Sequence, residues 1–247
     1  MSPRNSSVSS EKQKIRQFIW RLLEVKGVAR FPKPVYGRIP NFEGAEEAAA
    51  KISALKEYRE AKVVKVSPDS PQRHVRRRCL LDGKLLIMPT PRLREGFLLL
   101  DPNRIPKREY ERASTIKGAF LYGRKIPVEE LPKIDFIVTG SVAVTRSGLR
   151  LGKGGGYGEL EYAILSEYGK VSEEVLIATN VHDLQIVETL PRDPYDLFID
   201  VIATPTKLIR IGERPPRPRG VIWELLSPEK LAEIPVLMDL RKRRAPR

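Results

Sequence analysis

An α/β fold, with a mainly parallel sheet covered by helices on both faces, is what this sequence predicts. Three observations carry that reading. Apolar runs of strand length recur along the chain, amphipathic segments of helical period separate them, and one buried run leads through a glycine-rich turn into a helix.

Taken in order, residues 11–26 form an amphipathic helix: Ile15, Phe18, Ile19, Leu22 and Leu23 keep helical spacing, a serine-rich start precedes them, and Gly27 ends them. The stretch FPKPVYGRIPNF holds too many prolines for a helix or a central strand and is an ordered loop. Alanine-rich residues 44–61 make a second helix with Ile52, Leu55 and Tyr58 on one side, and a short strand follows at 62–66. Asp69 and Ser70 ahead of Pro71 start a third helix that runs to about Leu81. Buried strands come at 85–88 and 97–100, joined by the turn PTPRLR. Residues 101–127 are weakly patterned and read as loop with one short strand near 118–121. Residues 134–140 (IDFIVTG) are a buried strand, 157–168 a helix, and 175–179 a strand. Strands at 200–204 and 208–211 precede the proline-rich RPPRPRG. With no internal repeat and no linker, the pattern predicts one domain over 1–247 with a basic tail from about residue 241.

Composition bounds the function. A chain of 247 residues, 41% hydrophobic and 31% charged, can bury a core without staples. No run approaches the roughly 20 apolar residues of a membrane span, and the opening MSPRNSSVSS lacks the apolar centre of a secretory signal. The expectation is a cytoplasmic protein. Its one cysteine, Cys79, cannot close an internal disulfide, fits a reducing compartment, and reads as a small half-buried helix residue. The net charge of +14 points to an anionic partner. Part of the excess is the tail Arg241, Lys242, Arg243, Arg244 and Arg247, read as a solvated, frayed end able to touch RNA weakly. Abundant Arg, Lys, Glu and Pro with few Asn and Gln is also the composition of a heat-adapted protein.

The chemistry concentrates in residues 150–157, RLGKGGGY, after the buried segment 134–144 and directly before a helix. Glycines let backbone N–H groups approach oxygen anions closely, and a helix N-terminus adds unpaired donors and partial positive charge. Arg150 and Lys153 add full charges, and Arg can grip two phosphate oxygens. The segment has neither GxGxxG nor a terminal GK[ST], so spacing alone supports phosphate binding and stops there.

RLGKGGGY resembles the RLGxGGGYYD signature of the 5-formyltetrahydrofolate cyclo-ligase family, also called methenyltetrahydrofolate synthetases. Further segments agree in order: Lys12 and Arg16 four apart on the first helix, the strand 135–140 followed by SVAV, then Gln185, Leu190-Pro191, Tyr195-Asp196 and Asp200-Val201-Ile202. The branch resembled most is the archaeal-like and synthetase-domain-containing one, on the segments GRIPNF and PTPRL. The resemblance implies a three-layer sandwich with a Rossmann-like sheet, and an ATP- and Mg²⁺-dependent closure of 5-formyltetrahydrofolate, or a related formyl-pterin, to the 5,10-methenyl form. It implies that Lys12, Arg16 and Arg150 bind phosphate oxygens, that Gly152, Lys153, Gly154, Gly155 and Gly156 cradle the triphosphate, and that Arg150 and Tyr157 stand at the reacting groups. The metal falls to Glu159 and Asp200, with Glu161 as an alternative. The family's Tyr-Asp after GGGY is Gly158-Glu159 here, the Asp shortly before RLG is Thr145, and residues 36–42 stand where the folate segment is expected.

Smaller signals read more plainly. His182 and Asp183 suit a loop or capping role, because two histidines in the whole chain make no triad or His-based metal site. Of Arg76, Arg77 and Arg78, at least one is solvated. The turn at 89–94 carries two arginines where α/β ligands bind, and Trp20 and Trp223 are core or interface residues. Two functions of different class follow: a C–N bond-forming ligase, or a non-catalytic nucleotide- or RNA-binding relative that keeps the fold.

Overall fold

The computed structural model describes residues 6–244. Helix α1 (Ser6–Val25) begins earlier than expected and takes in the serines before Glu11. Two short strands, β1 (Ala29–Arg30) and β2 (Asn41–Phe42), pair across the proline-rich loop. The single helix expected at 44–61 is two, α2 (Ala45–Ser53) and α3 (Lys56–Glu60), because Leu55 takes an extended backbone between them. Then come β3 (Val63–Val66), α4 (Arg73–Leu81), β4 (Leu85–Pro89) and β5 (Phe97–Leu100).

Residues 101–127 depart most from expectation. They hold α5 (Tyr110–Ala113), α6 (Ile116–Tyr122) and β6 (Arg124–Ile126), so the strand expected near 118–121 is a helix, capped by the Thr115 side chain on the Gly118 amide. A Cβ at Gly118 would lie 1.8 Å from the Arg112 carbonyl, so glycine is required there although it lowers the helical signal. The chain continues through β7 (Phe136–Thr139), β8 (Ala143–Thr145), β9 (Arg150–Leu151), α7 (Tyr157–Glu167), β10 (Leu176–Asn180), β11 (Ile186–Val187), β12 (Val201–Ala203), β13 (Leu208–Arg210), α8 (Pro228–Glu233) and α9 (Pro235–Arg244).

Eight strands form one sheet in the order β13-β12-β10-β7-β3-β4-β5-β6. Its centre, β12 to β4, is parallel, while β13, β5 and β6 join antiparallel at the edges. A small sheet, β11-β8-β9, stands beside it. Both faces of the large sheet are buried, so alternate residues enter opposite cores. Val64, Val66, Phe136, Val138 and Ala178 pack under α2 and α4 with Ala48, Ile52 and Val75. Val63, Ile137, Ile177 and Ile202 pack on the other face with Ile164 and Leu165 of α7 and Leu237 and Leu240 of α9. The three-layer sandwich is thus present. A third cluster seats Ile19, Trp20 and Leu23 of α1 against Val142, Ala143 and Leu151 of the small sheet.

A buried charge interrupts the apolar centre of the large sheet. Lys65, 2% exposed in the centre of β3, ion-pairs with the buried Glu161 of α7. The pair ties the helix after the glycine loop to the middle of the sheet. At the other end, Arg241 and Lys242 are exposed as expected, but Arg243 pairs with Glu129 and lies 4.9 Å over the Tyr168 ring; Arg247 lies outside the described residues. Cys79 is fully rather than half buried, and its thiol pKa is pushed up to about 12 by burial.

Lys65→Met should destabilise the fold by about 3–5 kcal/mol, because it leaves a buried carboxylate unpaired, and Lys65→Met/Glu161→Leu should recover most of that. Burial pushes the Glu161 pKa up while Lys65 pulls it down. Without the lysine the upward push stands alone, so stability is present below the ordinary glutamate range and lost as pH rises through the raised value. Urea unfolding of the single variant at pH 5 and pH 8 should show the larger deficit at pH 8.

Candidate functional site

Parallel α/β sheets place their binding crevices at the carboxyl ends of the strands. Here those ends are Ser67–Asp69 after β3, Thr90–Arg94 after β4, Gly140 after β7 and Val181–Gln185 after β10. The glycine loop closes over this edge. It leaves β9 at Leu151 and reaches α7 through Gly156, whose backbone is left-handed with φ 69°. No side chain caps the α7 N-terminus, so its amides face the loop as free donors in that respect.

Arg150 is the residue on which the loop rests. It is 4% exposed; its Nη1 donates to the Gly140 carbonyl at 2.5 Å and its Nη2 pairs with Glu159. Its Nε is buried with no partner. A Cβ at Gly158 would sit 2.8 Å from Arg150 Nη2, so the glycine at 158 makes room for the guanidinium against the first turn of α7.

Lys12 and Arg16 lie one helical turn apart on α1 and both are buried. Arg16 Nε donates to the Gly152 carbonyl at 2.7 Å, and its guanidinium carbon would be 3.5 Å from a Cβ at Gly154. Burial lowers the Arg16 pKa, with Glu159 and Asp196 opposing. Lys12 Nζ donates to Asp193 at 2.7 Å and to both oxygens of Asp196 at 2.8 and 2.6 Å. Burial raises the Asp196 pKa against the Asp193 amide and Lys12. Lys153 reaches across the loop to Asp69 at 2.7 Å. Tyr157 donates its hydroxyl to Glu233 at 2.6 Å, and its phenol is pushed up to about 12, first by burial and then by Glu233, which leaves it a neutral donor.

The structure therefore brings together Lys12, Arg16, Arg150, Gly152 to Gly156, Lys153, Tyr157 and Glu159. Asp200 is not among them. It sits at the amino end of β12, at the opposite edge of the sheet, where it accepts from the Ile177 amide and pairs with Arg214 and Arg217. Its expected metal role is withdrawn on that geometry. Glu161 is likewise committed to Lys65 beneath the sheet face. Thr145 ends β8, its hydroxyl bonded to Ser147 and the Leu149 amide of the turn that follows. His182 caps the turn 183–185 through Nδ1 to the Leu184 amide at 3.2 Å, as its sequence context suggested. Arg76 is 2% exposed and donates to the carbonyls of Ser67, Asp69 and Ser114, which makes it a strut rather than an anion ligand.

Asp69, Asp193, Lys65 and Glu233 went unassigned in the sequence. Lys65 alone carried a signal, a charge inside the run VVKV that is buried on both faces. Among the described residues no three His, Cys, Asp or Glu converge as a metal cage, and none of the helices is long and apolar enough to cross a membrane.

Fold and site together define an α/β protein with a glycine loop, flanked by buried cations, at the carboxyl edge of its sheet. The sequence profile of the 5-formyltetrahydrofolate cyclo-ligase family matches residues 8–205, and the chain belongs to that family. It is 41% identical over 237 residues to the methenyltetrahydrofolate synthase domain-containing protein of Mus musculus, covering 94% of this chain and 63% of the relative. It is 40% identical over 248 residues to the Homo sapiens protein of the same name, covering 98% and 64%. The chain thus spans about three fifths of the length of these relatives. The four relatives matched are all animal proteins that carry the synthase-domain name, so the archaeal-like part of the expected branch has no support. The fold is shared with the 5,10-methenyltetrahydrofolate synthetase of Aquifex aeolicus, at TM-score 0.53 and 21% identity, over 83% of this chain and 94% of that one.

Gly158→Ala should destabilise the protein by about 1–3 kcal/mol, the usual cost of overpacking, because the guanidinium it would displace is pinned by Gly140 and Glu159. A lowered urea midpoint checks this.

Proposed function

We propose that this chain is an ATP-dependent ligase that closes 5-formyltetrahydrofolate, or a related formyl-pterin, to the 5,10-methenyl form, releasing ADP and phosphate. The observation that carries the reading is that Arg16 bonds the glycine loop at Gly152, Arg150 anchors its start to Gly140, and Lys12 stands one turn from Arg16 on α1. Family membership gives the reaction class.

The reaction is difficult because a formamide oxygen is a poor leaving group. Moving the γ-phosphoryl of ATP onto it forms the new O–P bond, breaks the bond to the β-phosphate oxygen, and converts that oxygen into a leaving group. The N10 lone pair then attacks the formyl carbon, N10 releases its proton to solvent, and phosphate departs. Such a reaction asks the protein for alignment and charge neutralisation above all.

The residues fit a triphosphate. The buried, partnerless Nε of Arg150 is a donor that awaits an acceptor, and the α7 amides and left-handed Gly154 and Gly156 form an open backbone cradle. Arg16 and Lys12 line its α1 side. Lys153, Arg150 and Lys12 are held by Asp69, by Glu159, and by Asp193 with Asp196, respectively. Phosphate oxygens would take over part of that pairing. Magnesium would neutralise charge between phosphate oxygens, and Glu159 in the first turn of α7 would be the carboxylate to meet it; this suits a metal that leans on one or two carboxylates and its nucleotide. Tyr157, a neutral donor, would stand beside the reacting groups.

Arg150→Ala should lower ATP-dependent formation of methenyltetrahydrofolate by about 100-fold or more, the usual loss on removing an electrostatic donor from a transition state. Lys12→Ala should act in the same direction. The check is the rise of methenyl absorbance from 5-formyltetrahydrofolate with ATP and Mg²⁺. Turnover by wild type that persists in Arg150→Ala would sink the site assignment. ATP binding without turnover by wild type would favour the non-catalytic nucleotide-binding reading.

A further inference from the structure

The family profile ends at residue 205, yet the polypeptide beyond it returns to the loop. After β13 the chain runs along the amino ends of β10 and β12, where Arg217 donates to the carbonyls of Phe198 at 3.0 Å and Val175 at 2.7 Å. It then folds into α8 and α9. Ile234, Leu237 and Leu240 are buried among the side chains of the α7-side core. These helices are thus anchored by the same apolar burial that holds α7 itself.

On that anchor, α8 presents two charged groups to one aromatic ring. Glu233 accepts the Tyr157 hydroxyl at 2.6 Å, and Lys230 places its ammonium 3.3 Å from the centre of the same ring. Arg92 and Arg94, from the turn after β4, approach the Glu233 carboxylate at 3.5 and 3.7 Å, and Lys230 does so at 3.7 Å. The carboxylate is therefore the meeting point of four groups from three elements. Arg92 and Leu93 adopt left-handed backbone, with φ 58° and 56°. Such conformations persist in non-glycine residues where surrounding contacts over-determine them.

The ring held in this way touches the loop. A Cβ at Gly155 would meet Tyr157 Cδ2 and Cε2 at 2.6 Å, so the ring lies flush against the loop backbone at that residue. A continuous line of contact runs from the buried C-terminal helices, through Glu233 and Lys230, through the Tyr157 ring, to the amides of the phosphate cradle.

We propose that Glu233 and Lys230 are positioning residues that clamp Tyr157 against Gly155, so that the segment beyond the family profile sets the shape of the nucleotide loop. The inference rests on the reading of that loop as the nucleotide site. It does not require that the second substrate be a formyl-folate.

Four variants test it: Glu233→Leu and Lys230→Met, which remove the clamp, and Glu233→Gln and Lys230→Arg, which keep an acceptor and a cation. Nucleotide affinity is read by calorimetry with ATP, and the Tyr157 ring by NMR of ¹³C-tyrosine-labelled protein, with the signal assigned through Tyr157→Phe. Glu233→Leu and Lys230→Met should each shift the Tyr157 resonance and weaken ATP binding by about fivefold, the scale of one lost charged hydrogen bond or cation–π contact. The conservative variants should restore most of the affinity. Where turnover is measurable, KM for ATP should rise with kcat within about twofold. ATP affinity equal to wild type in both Glu233→Leu and Lys230→Met, with the fold intact, would overturn the clamp. Wild-type protein that binds ATP but does not turn over formyl-folate would remove the cyclo-ligase reading and leave this one to be decided by the same affinities.

Discussion

The buried guanidinium of Arg150 joins structures that would otherwise have no reason to meet. It leaves the small sheet at β9, reaches the carbonyl that ends β7, and pairs with Glu159 in the first turn of α7. Burying a guanidinium is costly unless its hydrogens find acceptors, and here the acceptors come from two different layers of the sandwich. The loop between β9 and α7 must therefore follow one path. Its glycines follow from that path: Gly158 makes room for the guanidinium, while Gly154 and Gly156 turn the chain in left-handed conformations. Lys65 and Glu161 fix the same helix two residues further on, so α7 is held by two ion pairs near its start and by apolar contact beyond.

A site rich in lysine and arginine would repel itself if left bare. The protein answers with carboxylates drawn from separate segments: Asp69 after β3, Glu159 on α7, and Asp193 and Asp196 before β12. Each cation is thus placed and partly desolvated before any ligand arrives, which reduces the ordering that binding must impose. The Lys153–Asp69 pair has a side chain 41% exposed on the lysine, whereas Lys12 and its partner Asp196 are 7% and 6% exposed. Under the proposed reading, exchange of a carboxylate for a phosphate oxygen would accordingly be easiest at the loop tip and hardest at α1.

Much of this was legible from the sequence, and the gaps have physical causes. The central strands announced themselves because both faces of a parallel sheet are buried, which produces short continuous apolar runs such as IDFIVTG. The loop was legible because four glycines between Arg150 and Tyr157 serve little purpose except close backbone approach. The antiparallel edges at β5, β6 and β13 were not, since periodicity carries no strand direction. Helix α6 was hidden by Gly118, which the helix needs for packing against Arg112 and which propensity counts against it. Asp200 was assigned to the metal on the family pattern alone, which does not say at which end of its strand an acidic residue falls, and here it marks the amino end.

The same argument explains why the C-terminal helices were invisible as part of the site. Residues 228–244 carry strong charge and weak pattern, and nothing in that stretch marks a partner far away in sequence. Only the packing of Ile234, Leu237 and Leu240 beside α7 brings Lys230 and Glu233 to Tyr157. Local residues can define a phosphate loop, because N–H groups and glycines act over a few positions. The wall that holds such a loop is set by long-range burial, and burial of that kind is recorded in the fold before it can be read in any motif. In this chain the loop's chemistry belongs to residues 150–157, while its rigidity is shared with a segment that begins beyond residue 205.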